Sequence, residues 1–260
     1  MRILLTIAYD GTAYSGWQKQ KSPEVRTVEG ELEKGLRQLF HMSDLECIGA
    51  SRTDAGVHAL GQCAVIDVET TIPPEKIPLA IRPFLPDDIV VVAAEEVDSS
   101  FHPRFDCVKK TYMYQIYQDA YKNPKERFYS TFVYTPLDVD KMNEGAKAFV
   151  GIHDFQAFCA AGSSVSTTVR TIFDCHVKQY GHYIRLYVTG DGFLYNMVRI
   201  IAGTLIAVGQ GKIEPEAISG IIAGKERRKA GQTAAPQGLT LMKIYYDMPE
   251  NKGKSIDMNE

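Results

Sequence analysis

The order of strand-type and helix-type patterns repeats once along the chain, and this repeat limits the possible folds more than any other feature. In the first half, the series strand, helix, strand, strand, helix, strand falls at 3–10, 27–40, 45–50, 62–69, 75–82 and 88–97. The second half gives the same series at 110–118, 138–151, 168–178, 182–189, 193–208 and 239–247. A βαββαβ series is typical of the split-βαβ unit found in RRM-like and ferredoxin-like folds. The chain is therefore predicted to be α+β, with two tandem βαββαβ halves whose antiparallel sheets flank a central cleft.

The predicted domain boundaries follow from this repeat. The N-terminal half spans 1–106, the C-terminal half spans 107–247, and the polar segment 248–260 is predicted to be a flexible tail. The stretch 119–136 is polar, aromatic and basic, and is predicted to be an exposed loop. At 260 residues the chain is long enough for two modest domains, each with its own core.

The composition excludes several classes of protein. A formal net charge of −3 argues against indiscriminate binding to nucleic acid, although a local basic groove is compatible with a selective nucleic-acid partner. The five cysteines contain no C-x-x-C pair, which indicates reduced thiols rather than a disulfide framework or a metal site. No stretch reaches the roughly 20 apolar residues that a bilayer span needs, and MRILLTIAYDG is interpreted as a first strand rather than a signal peptide. We therefore expect a cytoplasmic protein without a membrane segment.

Residues 51–58, SRTDAGVH, place three charged or titratable side chains in the turn between two predicted strands. Asp54 and Gly56 are favoured in turns for local reasons, and this alone would account for them. A simple hairpin does not also require Arg52 and His58. His58 is interpreted as a structural residue that hydrogen-bonds the turn or lies under the next strand, and not as a general base.

Arg199 lies in the pattern GDGFLYNMVRIIAGTLIAVG, which is apolar nearly all the way round and therefore predicts a buried helix. A buried guanidinium is costly unless it is paired and hydrogen-bonded. Asp54 is the carboxylate in an otherwise unexplained cluster, so we expect the planar fork of Arg199 to keep Asp54 ionised and correctly aimed. The alternative is that Arg199 extends its stem and reaches solvent.

The strand pattern KKTYMYQIYQ puts Tyr112 on the same side of the sheet as Lys110 and Tyr114. Strand tyrosines usually pack against a sheet face, as expected for Tyr114, but a phenol over a cleft could stack on a base or move a proton. A run of basic residues is often only a solvated face, but it can also contact phosphates. The basic candidates for phosphate contacts are Lys109, Lys110, Lys122, Lys125, Arg127, Lys225, Arg227, Arg228 and Lys229.

Three motifs, SRTDAGVHALGQ, FHPRFDCVKKTYMY and GDGFLYNMVRIIAGTLI, resemble in order and spacing the tRNA pseudouridine synthase A family. YDGTAYSGWQ near the start, HDFQAF and VRTI support the resemblance, which extends over about residues 3–246. It implies an enzyme that isomerises uridine to pseudouridine at positions 38–40 of the tRNA anticodon arm. It also implies a homodimer in which each cleft receives one tRNA with help from the other subunit, and an enzyme that needs no cofactor or metal.

The resemblance also implies the roles of four residues. Asp54 matches the catalytic aspartate, Tyr112 the active-site tyrosine and Arg199 the buried arginine that pairs with the aspartate. Arg52 matches the arginine that helps to displace the target base. Asp54 would act either as a nucleophile or as a base that gives a glycal intermediate, and the sequence does not choose between the two. Substrate binding is expected from Tyr112, Lys109, Lys110 and Arg52.

Two other classes of function stay open at this point. A non-catalytic RNA-binding protein would stack bases on exposed aromatic side chains, but Asp54 in an RNA groove would weaken binding unless it reacts. A sugar-bond hydrolase with Asp54 as nucleophile would normally need a second carboxylate as acid, and the motifs offer no obvious candidate. A phosphate-binding loop is rejected because its pattern would require glycine at Ile206 and a hydroxyl residue at Ile213.

Overall fold

The computed structural model describes residues 1–22, 24–162 and 165–247, so the predicted tail at 248–260 lies outside the described residues. The predicted α+β class is confirmed. The elements of the first half are β1 (Arg2–Tyr9), α1 (Val28–Phe40), β2 (Ile48–Gly49), β3 (His58–Asp67), α2 (Ile77–Ile81) and β4 (Ile89–Val97). Those of the second half are β5 (Cys107–Gln118), β6 (Thr131–Val133), α3 (Val139–Lys147), β7 (Gly151–Asp154), β8 (Val169–Tyr180), β9 (Tyr183–Gly190), α4 (Met197–Gly209), α5 (Ala217–Gly224) and β10 (Leu239–Tyr246).

The two halves have the same strand order, which confirms the repeat. The strands pair in the order β4-β1-β3-β2 in the first half and β10-β5-β9-β8 in the second. The pairs named in these two orders are all antiparallel. The halves do not form separate sheets, however, because β10 runs parallel to β3 where Thr240 faces His58 and Leu241 faces Ala59. This short contact joins them into one ten-stranded sheet.

Helix α1 shows how local sequence produces this packing. Its side chains Val28, Leu32 and Leu36 are fully buried in the same core cluster as the apolar residues of β1. The hydroxyl of Thr27 caps the helix by accepting a hydrogen bond from the backbone N–H of Gly30 at 3.3 Å. Burial of each large apolar side chain contributes about 1.5–3 kcal/mol, so this face holds the helix against the sheet.

Helix α4 begins four residues later than the predicted start at 193. Asn196 has a left-handed backbone conformation, with φ of 60°, so the segment 191–196 is a turn that precedes the helix. A Cβ atom on Gly203 of this helix would lie only 1.8 Å from the carbonyl oxygen of Gln232. Glycine at this position therefore lets the segment 231–234 cross the helix at close range.

The stretch 119–136 is more ordered than the predicted exposed loop. It contains β6, which runs parallel to β5 with Ile116 facing Thr131. The buried phenol of Tyr114 hydrogen-bonds the Thr131 hydroxyl and donates to the carbonyl oxygen of Ala235 at 2.8 Å. A buried Tyr O–H needs such partners, and they tie the segment to the second half.

Among the described residues, none of the helices combines the length and the apolarity that crossing a membrane requires.

Candidate active site

A cavity of about 670 Å³ lies between segments from both halves of the chain. Its wall is formed by residues 50–54 after β2, by Lys110 and Tyr112 on β5, and by residues 191–199 before and within α4. Each of these segments belongs to one of the three motifs that the sequence singled out. The fold therefore brings the three motifs to one place.

The cavity contains the contact between Asp54 and Arg199. Nη1 of Arg199 lies 3.3 Å from Oδ2 of Asp54, and the two side chains are 15% and 31% exposed, respectively. We expected the planar fork of the guanidinium to hold Asp54, but only Nη1 contacts the carboxylate among the described atoms. Its Nη1 also donates to the side-chain oxygen of Asn196 at 2.6 Å, and its Nε donates to the carbonyl oxygen of Ala234 at 2.8 Å. Arg199 is thus fixed by two further acceptors and pairs with Asp54 instead of reaching solvent.

The turn that carries Asp54 is held on several sides. The backbone oxygen of Thr53 accepts a hydrogen bond from the backbone N–H of Trp17 at 3.1 Å. The Thr53 hydroxyl forms a hydrogen bond with the buried phenol of Tyr9 at 2.7 Å. Gly56 has a φ of 76°, a conformation in which glycine avoids the steric cost of a side chain. The prediction that Gly56 allows the backbone to turn beside Asp54 is confirmed. The carboxylate therefore projects from a rigid support.

Tyr112 is buried at the side of the cavity, with 6% of its surface exposed. Its phenol hydrogen-bonds the hydroxyl of Ser51 at 3.0 Å, and its ring packs edge-on against Phe193 with ring centres 5.2 Å apart. Burial raises the pKa of Tyr112 to about 12, so the phenol is protonated at neutral pH. Tyr114 is fully buried and is not part of the cavity wall, as expected for a structural strand tyrosine.

The predicted basic residues divide into two groups. Arg52 and Lys110 line the cavity, and Lys110 Nζ donates to the carbonyl oxygen of Ala50 at 2.9 Å. Lys109 is not brought to the cavity, because it points to the other side of β5, where its ammonium lies 4.8 Å from the ring centre of Tyr245.

Sequence reasoning missed two further cations, Arg104 and Arg170, which also line the cavity. Arg104 stands in the quoted motif FHPRFDCVKKTYMY and Arg170 in VRTI, but neither showed a periodicity or spacing that distinguished it. Desolvation by the surrounding protein and the nearby charge of Arg52 lower the pKa of Arg104, although its side chain is exposed. In the part of the chain that the structure describes, no carboxylate lies within 4.0 Å of the charged nitrogens of Arg52, Arg104, Lys110 or Arg170.

Most of the predicted basic residues outside the cavity are held by local partners. Lys225 pairs with Asp154 at 2.7 Å. Lys122 and Arg127 lie over the rings of Phe132 and Phe128. Arg228 and Lys229 both pair with Glu226, and Arg227 donates to the carbonyl oxygen of Gly231 and the hydroxyl of Thr233. These contacts favour the interpretation of the basic run at 225–229 as a solvated face.

His58 is buried and bonded at both ring nitrogens. Its Nδ1 accepts from the backbone N–H of Gly11 at 3.0 Å, and its Nε2 donates to the carbonyl oxygen of Phe128 at 2.8 Å. This arrangement agrees with the structural interpretation of His58, and it links the turn to the segment 119–136. Within residues 1–22, 24–162 and 165–247, no group of three or more His, Cys, Asp or Glu side chains is placed to hold a metal ion.

A second cavity of about 450 Å³ also borders Asp54 and is lined in part by Gln18, Gln20 and Tyr195. Glu29 fixes this region by accepting hydrogen bonds at 2.6 Å from the Gln18 side chain and from the backbone N–H of Lys19. Asp54 therefore lines both cavities.

Comparison with known proteins gives consistent results. Residues 5–106 and 146–247 match the family model described as tRNA pseudouridine synthase. The tRNA pseudouridine synthase A 2 of Clostridium tetani is 46% identical over 245 residues, which cover 94% of this chain and 98% of that protein. The tRNA pseudouridine synthase A of Bacillus subtilis is 44% identical over 248 residues, which cover 95% of this chain and all of that protein. Among solved structures, a chain of the Cbf5-Nop10-Gar1 complex is similar with 11% identity, and the match covers 78% of this chain and 54% of that chain. Its TM-score of 0.36 is too low to support an argument.

Proposed function

Because the chain belongs to the tRNA pseudouridine synthase family, we propose that it isomerises uridine to pseudouridine in tRNA and that Asp54 carries the reaction. The observation that supports Asp54 most strongly is its contact with Arg199 inside a cavity whose wall is formed by all three motifs. A purely RNA-binding protein has no use for a carboxylate held in this position. The comparisons likewise give no support to the alternative of a non-catalytic protein.

The reaction breaks the bond from ribose C1′ to N1 of uracil, turns the base, and joins C1′ to C5. The target nucleotide must first leave the base stack, which costs a few kcal/mol. Asp54 then either attacks C1′ and later leaves it, or removes the proton from C2′ to give a glycal and later returns that proton. In both routes the base departs with the electron pair of the broken bond. C5 finally loses its proton, and N1 gains one.

Each neighbouring residue has a proposed part in this sequence. Arg199 aims the carboxylate of Asp54, because its other hydrogen bonds fix the guanidinium. Arg52 is exposed at the cavity mouth, where it can take the space that the extruded base leaves. Tyr112 can stack on the uracil while the base turns. Since its phenol is protonated, it can accept the C5 proton only if it passes its own proton to another group.

The target positions and the homodimer come from the resemblance, whereas the compartment and the domain limits come from the composition and the repeated pattern of the sequence. We propose positions 38–40 of the anticodon arm as the targets, a cytoplasmic homodimer as the active form, and the halves 1–106 and 107–247 as its domains. The repeated strand order supports these domain limits. Lys109 lies outside the cavity, so any phosphate that it binds belongs to RNA beyond the target nucleotide.

The direct test uses unmodified tRNA that carries tritium at C5 of its uridines. The wild-type enzyme is expected to release tritium, and Asp54→Asn is expected to lose at least about 10³-fold in rate while still binding tRNA. Asp87→Asn, an exposed aspartate outside the cavity, is the matched control and should release tritium like wild type. Transcripts with a single uridine at 38, 39 or 40 test the proposed positions. Tight binding by wild type without release from any tRNA would contradict the proposal.

A further inference from the structure

Lys110 is a charged residue inside the cavity, and none of the described carboxylates pairs with it. It is half-buried, and burial lowers the pKa of its ammonium group. Its one side-chain hydrogen bond in the described structure is to the carbonyl oxygen of Ala50 at 2.9 Å. A desolvated ammonium with three donors is costly unless an anion or further acceptors meet it. The substrate can supply such a group.

The position of Lys110 is fixed relative to the reacting groups. Ala50 and Ser51 are consecutive residues, and they bind the Lys110 ammonium and the Tyr112 phenol, respectively. Lys110 and Tyr112 project from the same face of β5, about 7 Å apart along the strand. The segment that holds both side chains continues directly to Asp54. One loop thus positions the ammonium, the tyrosine ring and the carboxylate around a single space.

Two anions of the substrate could meet Lys110, namely a backbone phosphate or the uracil itself. The exposed cations of the cavity are Arg52 and Arg104, which therefore suit phosphates that stay at the cavity mouth with the RNA backbone. Lys110 is less exposed and lies beside the buried Tyr112, where an extruded base would enter. This difference in depth favours the base.

We propose that Lys110 is a further catalytic residue, which donates a hydrogen bond to a carbonyl oxygen of the extruded uracil and stabilises the negative charge of the departing base. When the C1′–N1 bond breaks, its electron pair stays with uracil, and the charge spreads over the ring and its two oxygens. The charge disappears when C5 bonds to C1′. Lys110 keeps its own proton throughout. The inference rests on the proposed isomerisation but applies equally to the nucleophilic and the glycal route, because both release the same anion.

The first experiment compares Lys110→Met, which removes the charge at similar length, with Lys110→Arg, which keeps it. Loss of one donor to a developing charge predicts a single-turnover rate about 100-fold lower for Lys110→Met at saturating enzyme. The Kd for tRNA should change little, and Lys110→Arg should recover part of the rate. Lys34→Met, an exposed lysine on α1, is the control and should react like wild type.

The second experiment places 5-fluorouridine at the target position and follows its loss by nucleoside chromatography. Fluorine stabilises the departing anion, so the penalty of Lys110→Met should be several-fold smaller than with uridine. Equal penalties for both nucleosides, or a penalty confined to the Kd for tRNA, would overturn the proposal and indicate a phosphate contact instead. Equal losses in Lys110→Met and Lys110→Arg with lowered unfolding midpoints would overturn it in favour of a structural role. Failure of the wild type to form pseudouridine would instead contradict the proposed function.

Discussion

Two carboxylates in the first half of the chain, Glu33 and Asp54, each lie beside an arginine but differ in how fully they are bonded. Glu33 is only 3% exposed and accepts hydrogen bonds from Lys19 at 2.7 Å, from Arg37 at 3.0 Å and from the backbone N–H of Cys47 at 3.2 Å. Asp54 is 31% exposed, and its one ion-pair contact in the described structure is the one with Arg199 at 3.3 Å.

This difference separates a carboxylate that holds structure from one that is available to react. The oxygens of Glu33 are committed to three donors, two of which, Lys19 and Cys47, join α1 to the segments before and after it. Asp54 borders two cavities, and its side chain accepts only the bond from Arg199 among the residues that the structure describes. A carboxylate beside an arginine is therefore not enough to identify a reacting group. A carboxylate that also faces a cavity with free acceptor positions is the better candidate.

Apart from substitutions of Asp54 itself, the largest effect on the comparison is expected from Arg199→Met. Removing the guanidinium releases Asp54 from its position and leaves Asn196 and Ala234 without their donor. We expect the rate of pseudouridine formation to fall about 100-fold, the usual cost of a small misplacement of a reacting group. Single-turnover kinetics check this. The rate of Arg199→Lys should lie between those of wild type and Arg199→Met, because lysine keeps the charge but not the planar fork. An unchanged rate in Arg199→Met would mean that Asp54 does not need this partner.

A smaller effect, on stability instead of activity, is expected from Glu33→Gln. The substitution leaves Lys19 and Arg37 without a shared counter-charge, but both cations are partly exposed and can be solvated. We therefore expect the free energy of unfolding to fall by about 1–2 kcal/mol. Denaturant unfolding measures this. A variant as stable as wild type would show that the saturated carboxylate contributes no net stability.

The smallest effect concerns the pH dependence of stability at Glu29, the second buried acid of α1. Burial raises the pKa of Glu29 above its usual 4.5, so the folded protein holds this proton to a higher pH than the unfolded chain does. Relative to Glu29→Gln, the wild type should therefore lose stability as the pH rises from below 4.5 through the raised pKa. Unfolding of both proteins across this range checks the sign. A difference that grows in favour of wild type with rising pH would contradict it.

The sequence predicted those parts of the site where only a few residues could satisfy a physical requirement, such as a partner for a buried charge. A guanidinium in an apolar helix needed an acceptor, and Asp54 was the carboxylate in an unexplained turn. Alternation along β5 placed Lys110 and Tyr112 on one face. The repeated series of elements predicted the fold for the same reason, because few architectures accommodate it.

The remaining features depend on contacts that no local pattern records. The joining of the two sheets rests on only two residue pairs between β3 and β10. Strands β6 and β7 are too short for alternation to be visible, and α5 contains two glycines that weaken its helical pattern. Arg104 and Arg170 reach the cavity from segments without periodicity, so only the fold reveals them.

The comparison between the two carboxylates is tested most directly by measuring Asp54→Asn and Glu33→Gln side by side, each for tritium release from C5-labelled tRNA and for unfolding by denaturant. The account predicts that Asp54→Asn loses at least about 10³-fold in release while its stability stays near that of wild type. It predicts the opposite for Glu33→Gln, which should release tritium normally at a temperature where it is folded but unfold more easily. Sustained release by Asp54→Asn, or loss of release by folded Glu33→Gln, would contradict it.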